Sequence, residues 1–397
     1  MRSYAAAGNA GVMKICVASA GPFHVFDLAR QMERLGHLTR FYTAYPRFKV
    51  DGLPAAKVSS FPWIMGPAAL AGRFGLPGLR ERLNFPMIET FDRWMAKRLA
   101  PCDVFHCLSS FGLQSHRAAR SRHGALTVCD RGSSHITFQN EILREEYERC
   151  GIPYRGIDAR IVERELAEYE FCDLISVPSS FSIRSFVEKG VARDKLRLNP
   201  LGVDLSMFHP MPKRDAVFRV LFVGVTSVQK GVRYLLEAVS NAQIPELETW
   251  LIGAIDPEMR PILARYENRF RALGVLPHTE LAGQYSQASV LVLPSIQDGF
   301  GLVMAQAMAC GVPVIATTNT GAEDLFTDGV EGFIVPIRDG AAIADKIVFL
   351  REHPEVRDAM GAAALARVRA LGGWNSYGEQ MAAMYQAALA ACAAAGR

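Results

Sequence analysis

The chain has 397 residues, 50% of them hydrophobic and 21% charged, an ordinary globular composition on a length that favours two or three domains over one core. A net charge of +4 is too weak to argue for nucleic acid as a partner and is compatible with anionic ligands or an anionic membrane surface. The eight cysteines (Cys16, Cys102, Cys107, Cys129, Cys150, Cys172, Cys310 and Cys392) lack CxxC spacing and several sit inside apolar runs, so buried reduced thiols in a reducing cytosol explain them better than disulfides or metal.

Residues 1–12 carry Arg2 and a weak Ala/Gly run, which is no signal-peptide core, and are expected to form a disordered extension. Nowhere do about 18 consecutive apolar residues occur, so no transmembrane helix is expected. From Met13 on, strand-like and helical stretches alternate, which argues for an α/β fold with parallel sheets. First-half strands are expected at Lys14–Ala18, Leu38–Thr43, Asp103–Cys107, Ala125–Cys129 and Asp173–Pro178. Helices are expected near His24–Leu35, Glu89–Leu99, Phe111–Arg122, Ile157–Phe171 and Ser180–Lys189.

The first strand runs into Gly21-Pro22-Phe23-His24. This is not the GxGxxG fingerprint, so hydride transfer loses its main support, although one glycine before a helix still lets a substrate approach backbone. From Val50 to about Pro101 the alternation fails. Phe61, Trp63, Ile64, Leu70, Phe74, Leu76, Phe85 and Met87 mix with Arg73, Arg80, Arg82, Arg93, Lys97 and Arg98. Such a mixture suits an interfacial membrane contact over residues 58–98, or equally a lid packed on its own domain. The block Asp130-Arg131-Gly132-Ser133-Ser134-His135 follows a buried strand. Asp130 or His135 is placed to accept a proton or hold sugar hydroxyls, and Arg131 to pair with Asp130 or meet a phosphate.

Pro200, Gly202, Pro210 and Pro212 interrupt regular structure at 200–215, and a second alternating series comes after them at Phe218–Gly224, Thr249–Gly253, Val290–Leu293, Val312–Ala316 and Gly332–Val335. Two Rossmann-like domains in series are therefore expected, at 13–199 and 216–373, facing each other across a ligand-binding cleft. A last helix from Trp374 to Ala394 is expected to cross back to the first domain. After the strand-end Gly224, Lys230 stands where an ammonium can neutralise a diphosphate, with Ser227, Gln229 and Arg233 near it. In Pro294–Ala316 a strand ends, Gly299 and Gly301 form a turn, and a helix runs from Leu302 to Cys310. The free N–H groups of such a helix are a ready anion site, and Asp298 and Gln306 are spaced to face one ligand.

Taken together these segments resemble the retaining family-4 glycosyltransferases of the GT-B fold, from Met13 to about Met384. The resemblance rests on Gly21 with His24–Ala29, on Val177-Pro-Ser-Ser180 through Leu201-Gly-Val-Asp-Leu205 to Pro210, and on Gly224 with Lys230-Gly231. It rests further on Gly274-Val-Leu-Pro277 with Glu280 and Tyr285, and on Asp298-Gly-Phe-Gly-Leu-Val303 through Gly311-Val-Pro-Val314. It implies transfer of a sugar from a UDP- or GDP-sugar, with retained anomeric configuration and no metal or other cofactor, to a glycan or lipid-linked acceptor. The product would belong to polysaccharide or cell-envelope assembly, at the cytoplasmic side of the membrane.

By that resemblance Lys230, Asp298, His135 and Asp130 are the candidate catalytic residues. Ser227, Lys230, Val275, Asp298, Gly299, Phe300, Gly301, Leu302, Val303 and Gln306 are expected at the donor, and Gly21, His24, Arg131 and Ser133 at the acceptor. Three departures stand out. Asp298 and Gln306 replace two glutamates eight apart, Val225 replaces an arginine, and Cys129 replaces a histidine. They keep open an alternative, a catalytically weak GT-B protein that binds nucleotide or glycan as a partner subunit.

Overall fold

The computed structural model describes residues 11–66, 77–242, 244 and 246–394. Most of the expected N-terminal extension, together with Leu70, Arg73, Phe74 and Leu76, lies outside the described residues, as does the side chain of Arg80.

Strands β1 (Ile15–Ala18), β2 (Leu38–Thr43), β3 (Val58–Ser60), β4 (Val104–Leu108), β5 (Leu126–Asp130), β6 (Leu174–Val177) and β7 (Leu196–Leu198) form one sheet in the order β3-β2-β1-β4-β5-β6-β7. β8 (Arg219–Val223), β9 (Glu248–Ile252), β10 (Arg271–Gly274), β11 (Val290–Leu293), β12 (Val314–Thr317) and β13 (Gly332–Val335) form the other in the order β10-β9-β8-β11-β12-β13. Every pairing in the second sheet is parallel. So are the pairings of β1 with β2 and β4, of β2 with β3 and of β4 with β5. Such sheets are covered on both faces, which is why their central strands read as continuous apolar runs.

The helices are α1 (Val25–Arg34), α2 (Pro77–Arg98), α3 (Leu113–His123), α4 (Ile136–Cys150), α5 (Ala159–Phe171), α6 (Ser180–Glu188), α7 (Val232–Asn241) and α8 (Arg260–Leu263). They continue with α9 (Leu281–Gln287), α10 (Leu302–Ala309), α11 (Ala322–Leu325), α12 (Gly340–Glu352), α13 (Pro354–Leu371) and α14 (Gly373–Ala394). The chain divides into two compact units. One holds the described residues up to Asp130, with Ala159–Ile175 and α14 from Gly378 onward; the other holds Arg131–Asp158 and Ser176–Tyr377.

In the first unit, Phe91 and Met95 of α2 are buried with Tyr42, Phe105 and Ala119. The sequence expectation starts this helix at Glu89, yet it runs through Pro86 back to Pro77. Proline costs a helix one hydrogen bond, and the aromatic face of α2 offsets that loss, with Trp94 stacked on Phe61 at 5.2 Å and on Phe91 at 5.8 Å. Of the apolar residues singled out in this stretch, Phe61, Ile64, Phe85 and Met87 are half-buried and Trp63 is exposed, while Ile88, Phe91, Met95 and Leu99 of the same stretch are core. In the second unit, Val220–Phe222, Val290–Leu293 and Val314–Ala316 meet Leu235, Leu236, Met304 and Met308 in one continuous core.

Both sheets reverse strand order beside their first strand: β1 lies between β2 and β4, and β8 between β9 and β11. In open parallel sheets such reversal points, outside the carboxyl ends of β1 and β4 or of β8 and β11, are where ligands bind. All eight cysteines are free, and no described helix is long and apolar enough to cross a membrane.

Candidate functional site

In the second unit, the loops after β8 and β11 bring Lys230 and Asp298 together. Lys230 Nζ donates to Asp298 Oδ2, an ion pair with both side chains partly shielded from solvent. Local backbone explains the encounter. Gly231 has φ +62° and a side chain there would meet the Pro294 carbonyl oxygen at 2.0 Å, so only glycine lets the β8 loop close over the end of β11. Ile296 N also donates to Gln229 O at 3.0 Å, and Gln229 Nε2 donates to Gln297 Oε1 at 3.0 Å. The two loops are thus joined by backbone, by paired amides and by the ion pair. Ser227 is buried one turn back, and its Oγ accepts from Lys230 N at 3.3 Å.

The turn after Asp298 is backed by the segment that opens this unit. A Cβ on Gly299 would meet Gly132 O at 2.0 Å, Gln297 Nε2 donates to Ser133 Oγ at 2.6 Å, and Ser182 Oγ donates to Gly299 O at 3.3 Å. Ser133, expected at the acceptor, therefore stands against the turn that carries Asp298. Phe300 is buried, and Gly301 leads into α10 with φ +78° and no side-chain cap. Leu302 and Val303, half-buried, form the first turn of that helix. Its first N–H groups thus open beside the Lys230–Asp298 ion pair.

Gln306 lies one turn further, 6% exposed. Its Oε1 accepts from the Tyr285 hydroxyl at 2.8 Å, and its Nε2 lies 3.4 Å from His278 Nε2. Burial pushes the Tyr285 phenol well above its ordinary range, so it stays a donor. Val275, expected at the donor, follows β10 and is 74% exposed. Arg131 donates to Ser134 O at 3.0 Å and to Gln139 Oε1 at 2.6 Å. His135 is the N-cap of α4, its Nδ1 accepting from Thr137 N at 3.2 Å. Burial, aided by Arg131 and Lys189, lowers His135 to about 4, which keeps the ring neutral and able to cap.

In the first unit, Asp130 ends β5 and holds two imidazoles. Its Oδ1 is 2.8 Å from His24 Nε2 and its Oδ2 is 2.8 Å from His106 Nε2. Burial alone would raise this carboxyl, but the two rings outweigh it and hold it well below the usual carboxylate range. An ionised carboxylate only accepts, so both Nε2 atoms carry hydrogen. His106 Nδ1 is then free to accept from the Tyr385 hydroxyl on α14, 2.9 Å away. His106, Asp130 and Tyr385 are all buried, whereas the His24 side chain is 12% exposed. Burial pushes His24 down, but Asp130 outweighs it and leaves the ring above its ordinary value. His24 is thus the accessible end of a buried polar chain. Gly21 lies three residues before it, its carbonyl accepting from Ser19 Oγ at 2.8 Å.

His106 and Tyr385 escape the sequence reading because they lie 279 residues apart. A histidine inside the apolar run of β4 is the one signal that points to them. Gln297 and His278 escape it because an amide and an imidazole in loops have no spacing rule. Among the described residues no group of three metal-ligating side chains is gathered.

The sequence pattern of the family described as Glycosyltransferase Family 4 matches residues 23–207, and that of Glycosyl transferases group 1 matches residues 217–353. A D-inositol 3-phosphate glycosyltransferase of Kribbella flavida is 31% identical over 50% of this chain and 52% of its own. The chain thus spans about half the length of that relative. An MMP alpha-(1->4)-mannosyltransferase of Mycolicibacterium hassiacum is 28% identical over 94% of this chain and 95% of its own. Among solved structures, sucrose-phosphate synthase from Thermosynechococcus elongatus superposes with a TM-score of 0.73 at 23% identity, covering 96% of this chain and all of that one. Anabaena HepE in complex with UDP-glucose gives 0.67 at 18%, covering 94% of this chain and all of that one. With two family patterns in series on two Rossmann-like sheets, the chain belongs to the group 1, family 4 glycosyltransferases and has their GT-B fold.

Proposed function

We propose that this chain is a retaining, metal-independent glycosyltransferase that moves a sugar from a UDP- or GDP-sugar to a glycan or lipid-linked acceptor. The observation that carries the reading is the Lys230–Asp298 ion pair beside the uncapped start of α10. An ammonium and helix N–H groups aimed at one place stabilise a diphosphate as charge grows on it, without a metal. Asp298 holds Lys230 until the donor arrives and then accepts from the sugar hydroxyls. The sugar C1–O bond to the diphosphate breaks, a bond from C1 to the acceptor oxygen forms on the same face, and the acceptor proton passes to the departing phosphate.

The names of relatives support the substrate class. A GDP-mannose-dependent mannosyltransferase of Corynebacterium glutamicum is 25% identical over 54% of this chain, and Anabaena HepE has been solved with UDP and glucose. In this reading Gly21, His24 and Asp130 shape the acceptor side. The product enters cell-envelope or exopolysaccharide assembly, and the enzyme works in the cytoplasm at the inner membrane face, touching it through part of residues 58–98.

Thermal melts of the full chain against UDP-, GDP- and ADP-sugars test the donor class, because a ligand that binds only the folded state raises its stability. One nucleotide series is expected to raise the melting temperature. Anomeric analysis of the product by NMR then tests retention; an inverted product would overturn that part. Stabilisation without any turnover would favour the partner-subunit alternative, to which the buried, already bonded Gln306 lends itself.

A further inference from the structure

Among the described residues the two most exposed large hydrophobic side chains are Trp63, 84% exposed, and Phe48, 82% exposed. Both belong to the first unit, and strand register explains why they emerge together. Thr43 at the end of β2 is paired in parallel with Ser60 at the end of β3. Phe48 sits in the short turn Arg47–Lys49 after β2, and Trp63 in the turn Pro62–Met65 after β3. Both turns therefore leave the same carboxyl edge of the sheet, the edge from which the His24 loop leaves β1, whose Ala18 is paired with Tyr42.

The base beneath the two rings is built. Ser60 Oγ donates to Tyr45 O at 2.6 Å and Arg47 donates to Val58 O at 2.7 Å, tying each turn to the neighbouring strand or loop. Phe61, close to Trp63 in sequence, is anchored on Trp94. A cross-linked base holds Phe48 and Trp63 outward, where apolar surface in water is unfavourable unless something covers it. The flanking charges identify the cover. Arg47 and Lys49 bracket Phe48, with Lys49 Nζ 6.0 Å from its ring, and both are exposed. Asp51 is the one exposed carboxylate in the stretch 45–53. Aromatic rings that reach the acyl boundary, with cations at the headgroup level, are the chemistry of an anionic bilayer surface.

We propose that Phe48 and Trp63, with Arg47 and Lys49, dock this edge of the first sheet on an anionic lipid bilayer. This sharpens the membrane contact named above and rests on that part of the reading; glycosyl transfer itself does not depend on it. It also moves the contact. Phe61, Phe91 and Trp94 of the stretch 58–98 are packing groups, while Phe48 lies outside that stretch.

The test is co-sedimentation of the full chain with vesicles of phosphatidylcholine alone or mixed with phosphatidylglycerol. The wild type is expected to pellet with the anionic vesicles and to be released by high salt. Phe48→Ser with Trp63→Ser, and separately Arg47→Gln with Lys49→Gln, should each lower the bound fraction about fivefold or more. Melting temperature guards against loss of fold; Phe48, Trp63 and Lys49 are exposed and should change it little, whereas Arg47→Gln also removes the bond to Val58 O and a small drop is expected from it. Release of UDP or GDP from the stabilising nucleotide sugar into water, which needs no lipid, should be unchanged in both variants. No pelleting of the wild type overturns the proposal, as does pelleting that neither variant weakens. Pelleting without vesicles that the Phe48/Trp63 variant abolishes also overturns it, since the surface would then bind another copy of the chain. Vesicle binding without any nucleotide release would instead leave docking in place and sink the transferase reading.

Discussion

Lys230 reaches across from the loop after β8 to Asp298 in the loop after β11, so the residue proposed to meet the diphosphate is held by the one proposed to meet the sugar. Removing either partner leaves the other without its counter-charge. Lys230→Ala should lower turnover about tenfold or more, since it deletes a charge aimed at the leaving group. Asp298→Asn should cost less in donor affinity than in turnover. The split is read from kcat and KM on one donor.

Gln306 sits where the family resemblance expects a glutamate, and its amide oxygen is already bonded to Tyr285. Gln306→Glu introduces a carboxylate that Tyr285 still bonds and that stands beside His278. Donor affinity should rise roughly fivefold, the value of one charge-assisted hydrogen bond. Calorimetry on wild type and variant decides; unchanged affinity would remove position 306 from the donor contacts.

Gly231 combines a left-handed backbone with a tight approach to the neighbouring loop, because a Cβ placed on it would stand 2.0 Å from Pro294 O. Gly231→Ala must therefore push the two donor-side loops apart. A loss of about 2 kcal/mol or more in stability is expected, together with loss of activity, measured by urea denaturation and by turnover.

The histidines give opposite pH signatures. His24 has its pKa raised in the folded state, so its stabilisation is complete below the unfolded value of about 6.5 and is lost as pH rises through the folded value. His135 is lowered to about 4, so folding loses stability as pH falls from about 6.5 towards that value. His24→Asn should flatten the loss above neutrality, and His135→Asn, which keeps a capping side chain, should flatten the loss on the acid side. Melting temperatures across this range separate them. Asp130, lowered in the fold, keeps its contribution until pH falls below the usual carboxylate range. Tyr385→Phe leaves buried His106 Nδ1 without its donor and should cost about 1–2 kcal/mol.

Central strands such as β11 are legible in the sequence because buried parallel strands are continuous apolar runs; β11 falls at its expected bounds, as do β2 and the edge strand β13. The three- and four-residue edge strands β3, β7 and β10, with sequences such as VSS and LRL, carry no such run and escape notice. So does α4, whose mixed sequence after a polar block hides an amphipathic face. At the site, the glycine turns and Lys230 are readable because a strand-end glycine constrains the residues after it. The His106–Tyr385 bond that backs Asp130 is not, since a hydrogen bond between β4 and α14 depends on how the chain returns to its first unit.

The most direct measurement is the initial rate of UDP or GDP release from the nucleotide sugar that stabilises the chain, compared between the wild type and Lys230→Ala. Glycosyl transfer driven by Lys230 predicts measurable release in the wild type and about a tenfold or greater loss in the variant. Release at the same rate in both, or none from any nucleotide sugar, would contradict it.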